Sequence, residues 1–143
     1  MKKLNLLLGF LIGIMLFSCS SDDDSNESNQ DELIGIWNLV SVENQGNDVT
    51  AVDCQIEQNI IFTANNTGTE KAPEEITQTP CDFFTVPFNW TRNGNEIAVV
   101  VAQEGTFLNE ILLLTENTLE IVVTEIDGVA VPQNQQEIFK YEK

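Results

Sequence analysis

The feature that most constrains the fold is a series of short apolar runs, separated by turn dipeptides, from residue 35 to the end of the chain. Asn93-Gly94 is a strong two-residue hairpin signal, and Glu116-Asn117 and Asp127-Gly128 separate later runs in the same way. No stretch after Ile34 keeps a helical period over ten or more residues. The pattern predicts an all-β protein, a single antiparallel up-and-down β-barrel of about eight strands.

The predicted strands follow from the positions of these turns. Residues 31–34 are expected to form one short helical turn, with Asp31 as its N-cap. Pro87 interrupts a long apolar run, so that strand is expected to lie at an edge or to carry a bulge. The strands are expected at residues 35–42, 57–63, 69–72, 83–92, 96–102, 106–115, 118–126 and 137–141.

Some of these strands are apolar on both faces. Residues 97–101 and 111–114 have no polar face, and residues 119–123 have only Glu120. Strands of this kind usually have something covering both sides. Since the inner face fills a barrel, we expect a loop, the N-terminal segment, a second copy or a partner protein on the outer face.

The N-terminus predicts a lipoprotein. Lys2 and Lys3 precede an apolar run at residues 4–17 that is shorter than the roughly 20 residues a membrane span needs. Leu16-Phe17-Ser18-Cys19 looks like a lipobox, which predicts a signal peptide at residues 1–18 and a lipid such as palmitate on Cys19. The alternative is a short uncleaved anchor helix.

Residues 19–30 read as an acidic tether. They include Asp22-Asp23-Asp24 and no apolar side chain that could build a core, so we expect them to be disordered, leaving a folded domain at residues 31–143. Carboxylates on a flexible chain make a poor calcium cage. A serine- and aspartate-rich run after a lipidated cysteine resembles the export signal of surface lipoproteins in some Gram-negative bacteria. This resemblance implies an outer-membrane lipoprotein facing the cell surface; the alternative is the periplasmic face.

Charge and cysteine content restrict the partners. The net charge is −17, and removing the two positive charges of Lys2 and Lys3 with the signal peptide makes it −19. A surface this acidic repels phosphate backbones and anionic headgroups, so we expect no nucleic-acid partner and membrane contact only through the lipid. Cys54 and Cys81 form an even pair, which outside the cytoplasm favours a disulfide over two buried free thiols.

A family resemblance runs through the predicted strands. The run from Leu33 to Val42, with Gly35-Ile36-Trp37, is similar to the opening of bacterial lipocalin-like lipoproteins. Later segments match in order: Ile61-Phe62-Thr63 before Asn66-Thr67-Gly68, then Trp90 before Asn93-Gly94-Asn95, then the run from Leu112 to Leu119. The resemblance implies a small up-and-down β-barrel, with an apolar cavity open at one end.

One departure from the family concerns the closing contact at the signature tryptophan. Lipocalins often carry an arginine that packs over it near the end of the barrel. The corresponding region here offers only Lys140 and Lys143.

The chemistry-bearing residues favour binding over catalysis. Without histidine, a Ser-His-Asp or Cys-His arrangement is impossible, and zinc and copper lack their usual ligands, so we expect no enzyme, metal or cofactor. A hydrolase of surface polymers is the weakest hypothesis. Arg92, the only arginine, either anchors an anionic ligand or partner or is solvated. The candidate ligand-binding residues, which could equally fill the core, are Trp37, Phe84, Phe88 and Trp90.

Two hypotheses therefore remain for the function. The first is a lipid-anchored envelope protein that binds a small apolar ligand in its barrel. The second is an accessory protein–protein interaction module of an envelope complex, with a filled barrel, no ligand, and docking through residues 97–101 and 111–114. An open barrel interior favours the first hypothesis, and a filled interior with an exposed apolar stripe favours the second.

Overall fold

A computed structural model describes residues 30–51, 53–75 and 79–143. The predicted signal peptide, the lipidation of Cys19 and the tether up to residue 29 lie outside these residues. The described chain is all-β, as predicted. Eight antiparallel strands close into a barrel: β1 (Gly35–Asn44), β3 (Asn59–Phe62), β4 (Thr67–Pro73), β5 (Phe83–Asn93), β6 (Glu96–Val101), β7 (Gly105–Leu114), β8 (Thr118–Ile126) and β10 (Glu137–Glu142).

The strands follow an up-and-down order around the barrel. The order is β10-β1-β3-β4-β5-β6-β7-β8, and pairing of β10 with β8 closes the ring. Two further strands, β2 (Asn47–Thr50) and β9 (Val129–Ala130), extend β1 and β8 as hairpins. Short 3-10 helices lie at Asp53–Glu57 and Gln133–Gln135. Closure removes the free edges that an open sheet would expose.

The predicted turns are found with one shift in register. Asn93 pairs with Glu96, so the central residues of that hairpin are Gly94 and Asn95 rather than Asn93 and Gly94. Gly94 has φ +62°, which suits the first central position of a II′ turn. The predicted helical turn at residues 31–34 is a single hydrogen-bonded turn, in which the Asp31 carboxylate accepts from the Leu33 N–H at 2.9 Å.

The prediction for the strand that contains Pro87 was wrong. β5 lies between β4 and β6 and shows no register shift with either. Pairing with β6 begins only at Phe88, opposite Val101, so Pro87 lies just beyond the end of β6. The missing N–H of Pro87 therefore interrupts no ladder on that side, and the strand needs no bulge.

The disulfide prediction is confirmed. Cys54 in the first 3-10 helix is bonded to Cys81, which lies just before β5. Cys54 is fully buried. The bond ties two connecting segments together at one end of the barrel. Among the described residues no helix is long and apolar enough to cross a membrane.

Candidate ligand site in the barrel

One end of the barrel is closed by packed aromatic rings. The rings of Phe62, Phe88 and Trp90 are buried and meet edge to face, with centroids 5.6 Å apart for Phe62 and Phe88 and 5.4 Å for Phe62 and Trp90. Gly68 on β4 lies opposite Phe88, and a Cβ there would come within 2.3 Å of the Phe88 ring. The lack of a side chain at Gly68 therefore allows these rings to fill the closed end.

Trp37 is sealed from outside by the C-terminal lysine. The Trp37 indole is fully buried and donates its N–H to the Leu33 carbonyl at 2.7 Å. Lys143 places its ammonium 4.4 Å from the centroid of the indole ring and donates to the Glu32 carbonyl at 3.1 Å. Lys143 thus makes the cation–π contact for which the sequence offers no arginine.

Arg92 also holds the closed end. Its guanidinium forms an ion pair with Asp31, and its Nε donates to the Gly94 carbonyl at 2.7 Å. Because Asp31 also caps the N-terminal turn, Arg92 ties that turn to the hairpin between β5 and β6. The side chain is therefore engaged within the protein, and neither sequence interpretation of Arg92 describes it.

Above the aromatic rings the barrel contains a cavity of about 320 Å³. Phe62 and Ile97 lie at its base, and aliphatic side chains from facing strands form most of its wall together with the rings of Phe107 and Phe139. Phe84 and Glu104 both line the cavity and are exposed, so it opens to solvent beside the turn between β6 and β7. The aliphatic wall residues are Ile60, Ala72, Val86, Val99, Val101, Ile121 and Val123.

Four polar side chains interrupt this apolar wall: Glu70, Glu104, Asn109 and Tyr141. Glu70 accepts a hydrogen bond from the Gln58 amide at 3.2 Å. Asn109 donates its amide to the carbonyls of Ile97 and Phe107, at 3.5 and 3.3 Å. Since those bonds use the nitrogen of Asn109, its amide oxygen remains available as an acceptor.

Burial changes the acidity of two of these groups. The apolar surroundings raise the pKa of the Glu70 carboxyl, an effect that the Gln58 hydrogen bond opposes and the charge of Glu104 reinforces. Burial likewise raises the pKa of the Tyr141 hydroxyl, and the nearby Glu70 carboxylate adds to the rise. Tyr141 therefore stays neutral at physiological pH.

The structure divides the four predicted ligand-binding residues between two regions. Phe84 lines the cavity near its mouth. Phe88 and Trp90 belong to the aromatic base below it, and Trp37 lies in the packed core under Lys143. Ligand binding by these residues stays a prediction, but only Phe84 lies on the cavity itself.

Glu70 is not among the site residues predicted from the sequence, although the residue pattern of β4 contains a partial signal for it. In β4 the side chains alternate, so Gly68, Glu70 and Ala72 share the inner face while Thr69 and Lys71 face outward. Lys71 pairs with Glu57 at 3.0 Å on the outer surface. A lysine next to a glutamate in such a short strand indicates that one of the two faces inward, but not which one.

The outer face of β6 and β7 remains partly apolar. Val100, Leu112 and Leu113 are each at least 40% exposed. They lie within the two segments whose outer face we expected to be covered. No group of three or more acidic or cysteine side chains is placed to hold a metal ion in the ranges that the structure describes.

The comparisons with known proteins agree on the fold. Residues 33–121 match the family model of the lipocalin-like domain. A lipocalin-like protein from Bacteroides uniformis has a similar structure, with a TM-score of 0.56 and 16% sequence identity, over 78% of this chain and 98% of the other. A protein from Bacteroides eggerthii gives a TM-score of 0.54 and 9% identity over the same shares. A comparison with curated proteins found no significant match.

Proposed function

We propose that this chain, which belongs to the lipocalin-like domain family, binds a small, mostly apolar molecule in its barrel. The observation that carries the proposal is the cavity of about 320 Å³ above the aromatic base. Ligand pockets usually measure about 300–1,000 Å³ and are lined mainly by apolar side chains. The proposed activity is binding rather than catalysis.

The size of the cavity limits the ligand. A water molecule in the liquid takes about 30 Å³, so this volume holds roughly ten non-hydrogen atoms. Burial of apolar surface contributes about 25 cal/mol per Å², which favours a compact hydrocarbon body inside the aliphatic wall. The exposed Phe84 at the mouth offers further apolar surface to a longer molecule.

Dye binding with a cavity-filling variant tests this proposal. We expect the neutral apolar dye N-phenylnaphthylamine to bind saturably to the purified folded domain and to fluoresce more strongly, with its naphthalene ring in the cavity and its phenyl ring against the exposed Phe84 at the mouth. Ala72→Phe places a ring in the cavity and should weaken binding at least tenfold. The matched control is Ala98→Phe, since Ala98 lies on the outer face of β6 and does not line the cavity. Equal dye binding by both variants would contradict a site inside the barrel.

We also propose that the domain is anchored by a lipid on Cys19. The support is the sequence of the N-terminal segment, with its short apolar run and its lipobox-like residues. Metabolic labelling with a fatty-acid probe should label the natural chain and not Cys19→Ala. Labelling of both chains, or of neither, would exclude Cys19 as the site.

The proposed location is the outer membrane, with the domain on the cell surface. The run of serine and aspartate after Cys19 supports surface export, and the disulfide fits an oxidising compartment. Protease added to intact cells should then degrade the domain. Complete protection, lost only when the outer membrane is opened, would place it on the periplasmic face.

A second candidate function is docking to a partner in an envelope complex. The exposure of Val100, Leu112 and Leu113 on neighbouring strands favours it. Replacing Leu112 and Leu113 by Ser should abolish the association and leave dye binding intact. A purified chain that is strictly monomeric and retains no protein from envelope extracts would speak against this function.

A further inference from the structure

The carboxylate of Glu70 lies in the cavity without a positive charge beside it. Ion pairs among the described residues occupy Lys71, Arg92 and Lys140 elsewhere, and Lys143 lies over the Trp37 ring at the closed end. None of these cations lines the cavity. Burying an ionised carboxylate in an apolar site costs free energy unless the charge is paired. A cation bound in the cavity would therefore stabilise Glu70, and none of the chain's cations named above lies there.

Tyr141 provides a second polar group in the cavity, one that has no partner among the described residues of the protein. Its side chain is 4% exposed and lines the cavity, and within the described part of the chain its hydroxyl makes no hydrogen bond. Every fully buried side-chain nitrogen or oxygen of the described residues has a hydrogen-bond partner, so the unpaired Tyr141 hydroxyl is open to the cavity, where a ligand or water can bond it. The carboxylates of Glu70 and Glu104 and the amide oxygen of Asn109 only accept hydrogen bonds, and the Tyr141 hydroxyl can accept as well as donate.

We propose that the ligand is a primary amine with a short apolar body, whose ammonium group pairs with Glu70. This inference rests on the proposed function, since it concerns the same cavity. The ammonium group donates three hydrogen bonds, which suits a site whose polar groups mainly accept. Glu104 lies at the exposed mouth, where it attracts the cation during entry.

The net negative charge of the whole chain also favours a cationic ligand such as an amine. Without the two lysines of the signal peptide, the net charge of −17 becomes −19, and such a field concentrates cations and repels anions. A fatty acid would bring a second carboxylate next to Glu70 and Glu104. Like charges in a site of low dielectric constant repel strongly. The barrel is therefore expected to discriminate against anionic amphiphiles.

The affinity for an amine should depend on pH. The titratable groups facing Glu70 are Glu104 and Tyr141, and its hydrogen-bond partner Gln58 is neutral. An alkylamine keeps its charge below about pH 10, as lysine does. Because burial raises the pKa of Glu70, acidification protonates this carboxyl and removes the counter-ion. Affinity for the amine should therefore fall between pH 8 and pH 4, while affinity for a neutral alcohol should not.

Three eight-carbon compounds that differ only in their head groups test the proposal. Octylamine, octanol and octanoate are added to the folded domain at pH 7, and displacement of N-phenylnaphthylamine measures their binding. We expect octylamine to bind at least tenfold more tightly than octanol, and octanoate to bind most weakly. Glu70→Gln should weaken octylamine binding about tenfold and leave octanol unchanged, since the amide oxygen can still accept from Gln58.

The matched control is Glu110→Gln, because Glu110 is exposed and does not line the cavity. It should bind all three compounds like the natural chain. Equal affinity for the three compounds, or octylamine binding that Glu70→Gln leaves unchanged, would overturn the amine proposal while leaving the apolar site intact. Failure of the dye and of all three compounds to bind would overturn both the amine proposal and the proposed function.

Discussion

At the scale of single residues, Glu70 destabilises the empty barrel and favours the binding of a cation. Its carboxyl group lies in an apolar cavity with one hydrogen bond from Gln58 and no positive partner. Burial raises its pKa above the ordinary value of 4.5, so ionisation costs more in the folded protein than in the unfolded chain. A residue of this kind weakens the empty barrel and becomes favourable once a cation occupies the cavity.

Glu70→Gln should therefore stabilise the empty protein at neutral pH. In the natural chain, the stability present below pH 4.5 is lost as the pH rises through the folded-state pKa of Glu70, whereas the amide does not titrate. The gain in melting temperature should be larger at pH 7 than at pH 4. Thermal unfolding of both chains at the two pH values measures it, with Glu110→Gln as the exposed control. A gain that is equal at both pH values would contradict the burial argument.

Lys143 is a second residue whose side chain is expected to change the free energy of unfolding. Its ammonium lies over the Trp37 ring and donates to the Glu32 carbonyl. Cation–π contacts contribute about 0.5–2 kcal/mol, so Lys143→Ala should lower the free energy of unfolding by about 1 kcal/mol. Lys143→Arg should retain the natural stability, because a guanidinium also stacks on indole. Urea unfolding monitored by tryptophan fluorescence tests both variants, and an unchanged midpoint for Lys143→Ala would show that the contact adds nothing.

At the scale of strands, alternation and turn chemistry predicted most of the barrel from the sequence. Phe84, Val86, Phe88 and Trp90 lie at every second position of β5, as in a half-buried strand, and they face inward. The strands that were missed, β2 and β9, have four and two residues, all exposed, so neither carries an apolar face to recognise. Their pairing depends on the longer strands beside them, which no local pattern in the sequence reveals.

The contact between β4 and β5 depends on the absence of a side chain at Gly68. A Cβ at this position would lie 2.3 Å from the Phe88 ring and 2.4 Å from the Ile61 carbonyl oxygen. Overpacking usually costs about 1–3 kcal/mol, and contact with backbone places Gly68→Ala at the upper end of that range. Gly46→Ala is the control, since it meets open space and costs only the strain of its positive φ, about 1 kcal/mol. Denaturant midpoints that do not separate the two variants would contradict this packing.

The disulfide connects two segments at the end opposite the aromatic base. Cys54 and Cys81 are 27 residues apart. In the loop-entropy model, a loop of this length stabilises the fold by about 3–4 kcal/mol. Replacing both cysteines by Ala should lower the unfolding free energy by roughly that amount. Two thiols that react freely with an alkylating agent in the native oxidised protein would contradict the bond.

At the scale of the whole molecule, the sequence predicted the closed barrel but not which side chains would surround its cavity. The aromatic residues expected at the site mostly form its base, because Gly68 lets the Phe88 ring approach β4. Aliphatic residues, other aromatic residues such as Phe107 and Phe139, and two carboxylates line most of the space instead. Glu70 is one of 23 acidic residues, and only the assembled barrel distinguishes it from those in solvent.

Mapping where an apolar molecule binds tests the ligand site inside the barrel most directly. The isotopically labelled domain is titrated with octanol, and backbone amide shifts are followed by NMR. We expect saturable shifts along the cavity walls, at Val99, Val101, Phe107 and Val123, with little change around Trp37. Shifts confined to the outer face around Val100 and Leu112, or no saturable shift at all, would contradict a ligand site inside the barrel.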